Sequence, residues 1–143
     1  MTPEQIFSIV NLVAAVAWIM LMLLPRQQWV TGVVTSLIVP MLFAFIYVGI
    51  VVTTFGRTPG GFSTLGAVAT LFSNPWALLA GWIHYLAFDL LIGTWGVRDA
   101  RERGVPHLLV VPCLILTFLF GPAGWLLYTI VRSTRFPRML EGR

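Results

Sequence analysis

Residues 75–97 read PWALLAGWIHYLAFDLLIGTWGV and carry a single charged side chain, Asp89. The hydrocarbon core of a bilayer is about 30 Å thick, so a helix needs about 20 apolar residues to cross it. Asn74 is a favourable helix cap, and Pro75 suits the first helical turn. The stretch therefore predicts a membrane-spanning helix that begins at residue 75 and carries an acid at depth.

Three further apolar blocks have the length of a span, at about residues 6–24, 30–55 and 106–131. Residues 56–73 begin with the turn sequence Gly-Arg-Thr-Pro-Gly-Gly and become weakly apolar, which is typical of a short interfacial segment. The sequence therefore predicts an all-α membrane protein. Its single domain, residues 1–143, would be a four-transmembrane-helix bundle with the interfacial segment between helices 2 and 3.

The composition excludes several classes of protein. With 58% hydrophobic and 10% charged residues, the chain has too little polar surface for a water-soluble domain. All nine positive charges are arginines scattered between the apolar blocks, so we expect the lipid bilayer and no nucleic acid as a partner. The absence of lysine excludes lysine Schiff bases, and a single cysteine, Cys113, excludes a disulfide framework.

The predicted spans also determine how the arginines divide between the two membrane faces. Four spans would put both termini on one side, with five arginines there and four on the opposite side. The five are Arg57, Arg132, Arg135, Arg138 and Arg143, and the four are Arg26, Arg98, Arg101 and Arg103. The positive-inside rule then favours, by one arginine, termini on the inner side.

Asp89 is the predicted catalytic acid. An ionised carboxylate deep in a bilayer costs about 2.5 to 3.5 kcal/mol, so it must be protonated, paired or facing a polar cavity. His84, the second predicted catalytic residue, lies about 140° from Asp89 around the helix at about 100° per residue, so the two would flank a cavity from different faces. The structural alternative for both is a hydrogen bond that only locks the helices together.

Each predicted span carries one stripe of small, polar or aromatic residues, and these stripes should face inward around a slot for a flat apolar ligand. If the first and third spans pack together, the similar depths of Asn11 and His84 allow these side chains to meet. The predicted substrate-binding residues are Asn11, Trp18, Tyr47, Trp82, Tyr85, Gly93, Thr117 and Tyr128.

The plausible metal ligands are His84, Asp89 and His107. His107 begins the fourth predicted span near the opposite membrane face, about 15 Å or more from His84 along the bundle axis. We therefore do not expect both histidines to bind one ion, and the metal content stays open.

The string NPWALLAGWIHYLAFDLLIG at residues 74–93 resembles the neoxanthin-synthase-like family, which is also named after abscisic-acid-deficient plants. The similarity extends to the first span through Asn11 and the Pro25-Arg26 stop, so it covers most of the chain. It also includes the strings Arg98-Asp99-Ala100, Val105-Pro106-His107 and Phe120-Gly121-Pro122-Ala123-Gly124. The resemblance implies an integral membrane protein of carotenoid metabolism, whose plant members are required to turn violaxanthin into neoxanthin.

The resemblance implies an enzyme that isomerises, oxidatively modifies or cleaves a carotenoid near its end group. Asp89 would protonate an epoxide oxygen, and His84 would accept or relay a proton. An oxygenase would need iron or haem, but familiar carotenoid oxygenases hold iron with four histidines and this chain has two.

Several alternatives stay open. One is a non-catalytic carotenoid-binding or pigment-assembly protein, and another is a transporter component, which only the intramembrane acid favours. A homo-oligomer is compatible with the sequence. Because the chain starts almost at its first span without a plastid transit peptide, we expect it in a bacterial inner membrane.

Overall fold

The computed structural model describes residues 1–54 and 56–135. This part of the chain is helical, with turns and loops between the helices and no strand. The helices are α1 (Pro3–Leu23), α2 (Val39–Thr54), α3 (Leu65–Phe72), α4 (Pro75–Arg103), α5 (His107–Phe120) and α6 (Pro122–Arg135). A π-helical segment, Val30–Ile38, runs directly into α2.

Three of the described helices are long and apolar enough to cross a membrane. They are Pro3–Leu23, Val30–Thr54 and Pro75–Arg103, with 21, 25 and 29 residues. The protein is therefore an all-α membrane protein, and α3 occupies the place of the predicted interfacial segment. The predicted count of four spans is not confirmed.

Helix α4, the third predicted span, begins at Pro75 as predicted. The Asn74 side chain caps it by accepting hydrogen bonds from the N–H groups of Trp76 and Ala77. The helix ends later than the predicted residue 97. Three arginines and two acids between Arg98 and Gly104 predict a solvated loop between the last two spans. This prediction is wrong, because Arg98–Arg103 continue the helix for more than one further turn. Gly104 then ends it with a left-handed φ of 70°, a conformation that glycine adopts without steric cost.

The fourth apolar block, predicted as one span over residues 106–131, is broken into two helices. Gly121 has a φ of 43°, and Pro122 begins α6, so the helix cannot continue through this point. Each half has 14 residues, a length of about 21 Å, which is too short for a bilayer core of about 30 Å.

The two halves fold back on each other. A Cβ atom on Gly124 of α6 would collide with Thr117 and Cys113 of α5, so the two backbones are in close contact. The Tyr128 hydroxyl donates a hydrogen bond of 2.7 Å to Asp99, near the carboxyl end of α4. Helices α5 and α6 therefore form a hairpin, and from its length we expect it to be re-entrant, entering and leaving on one side of the membrane.

This hairpin changes the predicted membrane topology. The start of α1 and the end of α6 lie at opposite ends of the bundle, whereas four spans would have put them together. Arg26, Arg98, Arg101, Arg103, Arg132 and Arg135 lie at one end, called the basic face, and Arg57 lies at the other end, the amino-terminal face. Arg138 and Arg143 fall outside the described residues. The positive-inside rule therefore favours the basic face as the inner side.

The core lies where α4 packs against α1, α2 and the hairpin. Trp18, Phe43, Ile83 and Leu90 are almost fully buried there. Gly93 permits a close approach of α1 to α4, because a Cβ at this position would stand 2.6 Å from the Trp18 ring. At least two faces of α4 are therefore covered by other helices.

Candidate functional site

A cleft of about 560 Å³ opens between α2, α3 and the first half of α4. We call it the interfacial cleft, because it lies at the amino-terminal face and α3 forms one of its walls. Most of its lining is apolar or glycine, and its volume is in the range of small-molecule sites. The lining includes Tyr47, Val51, Thr54, Thr58, Phe62, Leu71, Phe72, Ala77, Gly81 and His84.

Two predicted site residues, His84 and Tyr47, lie together in this cleft. Their ring centroids are 5.8 Å apart, and the His84 ring also stacks on Phe88 at 4.6 Å. His84 is the cleft-lining residue of α4 furthest along the helix from the amino-terminal face. The two rings thus place an imidazole and a phenol at the deep end of a mostly apolar site.

The loop and α3 close the outer side of the cleft through two glycines. Gly60 has a φ of 96°, and a Cβ at this position would overlap the backbone of α3 at Leu71. A Cβ on Gly81 would stand 2.8 Å from the Phe72 ring, so α3 rests directly on α4. The Thr64 side chain accepts a hydrogen bond of 3.1 Å from the Ala67 N–H and fixes the start of α3.

Asp89 lies elsewhere, at the tip of the re-entrant hairpin. A Cβ on Gly121 would stand 2.9 Å from Asp89 Oδ1 and 3.1 Å from Oδ2, so the carboxyl group touches the turn between α5 and α6. Oδ2 is enclosed and has no hydrogen-bond partner among the described residues. One turn away, the Tyr85 hydroxyl donates to the Phe118 carbonyl at 2.9 Å. The two predicted catalytic residues thus face different surroundings, in agreement with their separation around the helix.

Asn11 pairs with Trp82, and the predicted meeting with His84 is wrong. The Trp82 indole N–H donates to Asn11 Oδ1 at 3.1 Å, and Asn11 Nδ2 donates to the Phe7 carbonyl at 2.8 Å. This pair ties α1 to α4 on the side of α4 that faces away from the cleft. Trp82 also contacts Tyr85, with ring centroids 5.3 Å apart.

Four predicted substrate-binding residues remain, and all of them contact other parts of the protein: Trp18, Gly93, Thr117 and Tyr128. Trp18 packs on Gly93, and the Thr117 hydroxyl donates to the Cys113 carbonyl at 2.8 Å. A void of about 10 Å³ adjoins Gly93, Thr117 and Tyr128, which is about the volume of one water. Their role toward a substrate stays a prediction.

His107 lies at the basic face, where a ring nitrogen is 2.8 Å from the Met22 carbonyl. It contacts the end of α1, far along the bundle from the interfacial cleft. Among the described residues, no group of three or more His, Cys, Asp or Glu side chains is placed to hold a metal ion. The three residues proposed as metal ligands therefore do not form a single cluster.

A charged cluster around Asp99 was not predicted from the sequence. Asp99 Oδ2 lies 2.8 Å from Arg103 Nε and 3.2 Å from Arg132 Nη1, and it also accepts the Tyr128 hydroxyl. The Arg132 guanidinium stacks over the Trp95 ring at 5.0 Å. The cluster anchors α6 to α4. The four-residue spacing of Asp99 and Arg103 was the available signal, because such pairs meet on a helix.

A family model described as ABA DEFICIENT 4-like matches residues 5–128. No curated protein and no solved structure matches the chain. The matched segment runs from the first turn of α1 to Tyr128 in α6, so it includes all of α4 and the turn of the hairpin.

Proposed function

The chain belongs to the ABA DEFICIENT 4-like family of carotenoid-related membrane proteins, and from this membership we propose an enzymatic role in carotenoid metabolism. The protein would isomerise, or else oxidatively modify or cleave, a carotenoid near its end group. The end group would lie in the interfacial cleft, with His84 and Tyr47 as the reacting side chains.

The observation that carries this proposal is the combination of volume and lining in the interfacial cleft. Its volume of about 560 Å³ is sufficient for a substituted six-membered ring with the first part of a polyene. The apolar and glycine lining suits a hydrocarbon, while Tyr47 and His84 offer polar groups at the deep end. An apolar ligand would reach such a site from the lipid.

Isomerisation is the reaction that these two side chains support best. Opening an epoxide to an allene breaks one C–O bond and one C–H bond, so the oxygen gains a proton and the polyene loses one. Tyrosine and histidine are both established general acid–base groups. Tyr47 would donate the proton to the oxygen, and His84 would remove the other. The proton count balances without an oxidant.

Asp89 has no step in this proposed reaction. Its carboxyl group touches the hairpin tip and not the interfacial cleft, so a direct part in proton transfer needs the substrate to reach the other face of α4. A catalytic role for Asp89 therefore stays a prediction. Comparing Asp89→Asn with His84→Ala separates the two residues.

The non-catalytic alternative uses the same cleft. A carotenoid-binding or pigment-assembly protein would hold the end ring between the Tyr47 and His84 rings without changing it. Iron or haem, a homo-oligomer and a location in the bacterial inner membrane stay predictions, and the family match does not support that location over any other membrane.

The test is conversion of violaxanthin by the protein. The chain and its variants are expressed in cells that accumulate violaxanthin, and pigment extracts are separated by chromatography. We expect a product with the mass of violaxanthin and an altered end group from wild type. His84→Ala and Tyr47→Phe should lower its yield at least tenfold.

His107→Gln is the matched control, because the second histidine of the chain lies outside the cleft. It should convert violaxanthin as wild type does. If extracts of well-expressed wild type match the empty-vector control, catalysis on this carotenoid fails as an explanation. Unaltered violaxanthin that co-purifies in stoichiometric amount would then support the binding alternative.

A further inference from the structure

A second cavity lies along α4, toward the basic face. Its volume is about 370 Å³, and we call it the basic-face cavity. Its lining includes Ser36 of the π-helical segment and Leu91, Thr94, Trp95, Arg98 and Glu102 of α4. In contrast to the interfacial cleft, half or more of these side chains are polar.

Both cavities open onto the same stripe of α4. At about 100° per residue, Ala77, Gly81 and His84 of the cleft lie within about 80° of Leu91 and Trp95 of the basic-face cavity, measured around the helix axis. Trp82 and Asp89, which contact α1 and the hairpin tip, lie on other faces of the helix. Trp95 borders the hairpin as well as the basic-face cavity, because its ring contacts Tyr128. The two cavities are therefore aligned along one helix.

An exposed aromatic ring lies on α4 between the two cavities. Phe88 belongs to the same stripe, its ring stacks on His84 at 4.6 Å, and 55% of its surface is exposed. Leu91 follows one turn later and already lines the basic-face cavity. An apolar chain leaving the cleft past His84 thus meets Phe88 and then Leu91.

The separation of the two cavities matches a long rigid ligand. The α4 residues of the cleft centre near residue 81 and those of the basic-face cavity near residue 97, which places the centres about 24 Å apart. A carotenoid is about as long as the hydrocarbon core, roughly 30 Å. Its two end groups would therefore reach both cavities at once.

We propose that a single carotenoid with a ring at each end lies along this stripe of α4, with one ring in the interfacial cleft and the other in the basic-face cavity. The polyene crosses the Phe88 ring between them. This inference rests on the proposed function, which supplies the ligand class but assigns only the cleft. The Ser36 hydroxyl, the Trp95 indole and the Arg98 guanidinium are the donors that would hold an oxygen substituent on the distant ring.

The test compares two probes: violaxanthin, and a one-ring aldehyde made by cutting its polyene. Purified protein in detergent is incubated with each probe, passed through gel filtration and assayed for retained pigment per protein. Wild type should retain several-fold more violaxanthin than aldehyde. Ser36→Phe fills the basic-face cavity, so violaxanthin retention should fall to the aldehyde level while aldehyde retention stays unchanged.

Two further variants sharpen the comparison. Leu91→Phe fills the same cavity from α4 and should act like Ser36→Phe. Ser8→Phe is the matched control, because Ser8 is exposed on α1 and lines neither cavity, and it should behave as wild type. Violaxanthin retention that is unchanged in both cavity-filling variants, or a parallel loss of both probes, overturns the two-ended site.

The two proposals can fail separately. If wild type retains neither probe, the carotenoid function falls and the two-ended site falls with it. If wild type retains both probes equally and the cavity-filling variants change neither, the cleft binds one ring and only the two-ended site is wrong.

Discussion

Replacing Gly124 by alanine should force the two helices of the hairpin apart. The added Cβ would clash with the backbone nitrogen and the hydroxyl of Thr117 on α5. A flexible side chain could rotate away, but the Thr117 nitrogen is part of the α5 backbone. Helix α6 must therefore shift as a whole, which also loosens its contacts with α4.

The expected change in the free energy of unfolding follows from two opposing contributions. Overpacking costs about 1 to 3 kcal/mol, and a backbone obstacle favours the upper end of that range. Alanine is more favourable than glycine inside a helix by about 1 kcal/mol. The free energy of unfolding should therefore fall by about 2 kcal/mol in Gly124→Ala.

Gly49→Ala is the matched control, because a Cβ at Gly49 meets nothing within 4 Å. This variant keeps the propensity gain without the clash, so the two variants should differ by about 3 kcal/mol. The assay is unfolding by SDS in mixed micelles, followed by tryptophan fluorescence and far-ultraviolet circular dichroism. Equal stability of the two variants would refute the close contact of α5 and α6.

Three further predictions concern the hairpin. In a Cys113→Ser background, Ser63→Cys and Ser133→Cys should react with a membrane-impermeant thiol reagent from opposite sides of sealed vesicles, whereas a continuous fourth span would expose both on one side. Removing one member of a buried ion pair costs about 3 to 5 kcal/mol, so Asp99→Ala should lower the free energy of unfolding by about 3 kcal/mol in the same SDS assay. Tyr128→Phe should cost about 1.5 to 3 kcal/mol, the contribution of a hydrogen bond to a charged group, and an unchanged midpoint would exclude that bond.

Most of the helical framework follows from hydropathy and capping. The three long helices start and end within a few residues of their predicted limits, except that α4 continues through Arg98–Arg103. There the charged residues suggested a loop, but Asp99 and Arg103 pair along the helix and stabilise it. Hydropathy alone could not detect this pairing.

The fourth block shows a different limit. Residues 106–131 have the length and apolar character of a span, and nothing in their average hydropathy separates a span from a hairpin. The decisive feature is local: Gly121 with a positive φ and then Pro122 at the start of α6. Both residues lie in a string that resembles the family, but the direction in which α6 leaves depends on tertiary contacts with Thr117 and Asp99.

The candidate site was predicted in part. The angular separation of His84 and Asp89 follows from helix geometry, and the structure places them in different surroundings. His84 faces a large cavity because of the fold of residues 56–72. This segment brings Gly60 against α3 and Phe72 against α4. That packing is a tertiary property, so a site was expected around Asp89 and the interfacial cleft was missed.

The depth of Asp89 has a structural explanation that does not require catalysis. Asp89 is the central residue of α4, with 14 residues on either side, and each arm of the hairpin is also 14 residues long. The hairpin tip therefore reaches Asp89 near the middle of the membrane. Non-helical backbone is tolerated at that depth only where protein covers it, and the Asp89 carboxyl group covers the turn at Gly121. An acid that shields the turn has a structural role even if all proton transfer takes place at Tyr47 and His84.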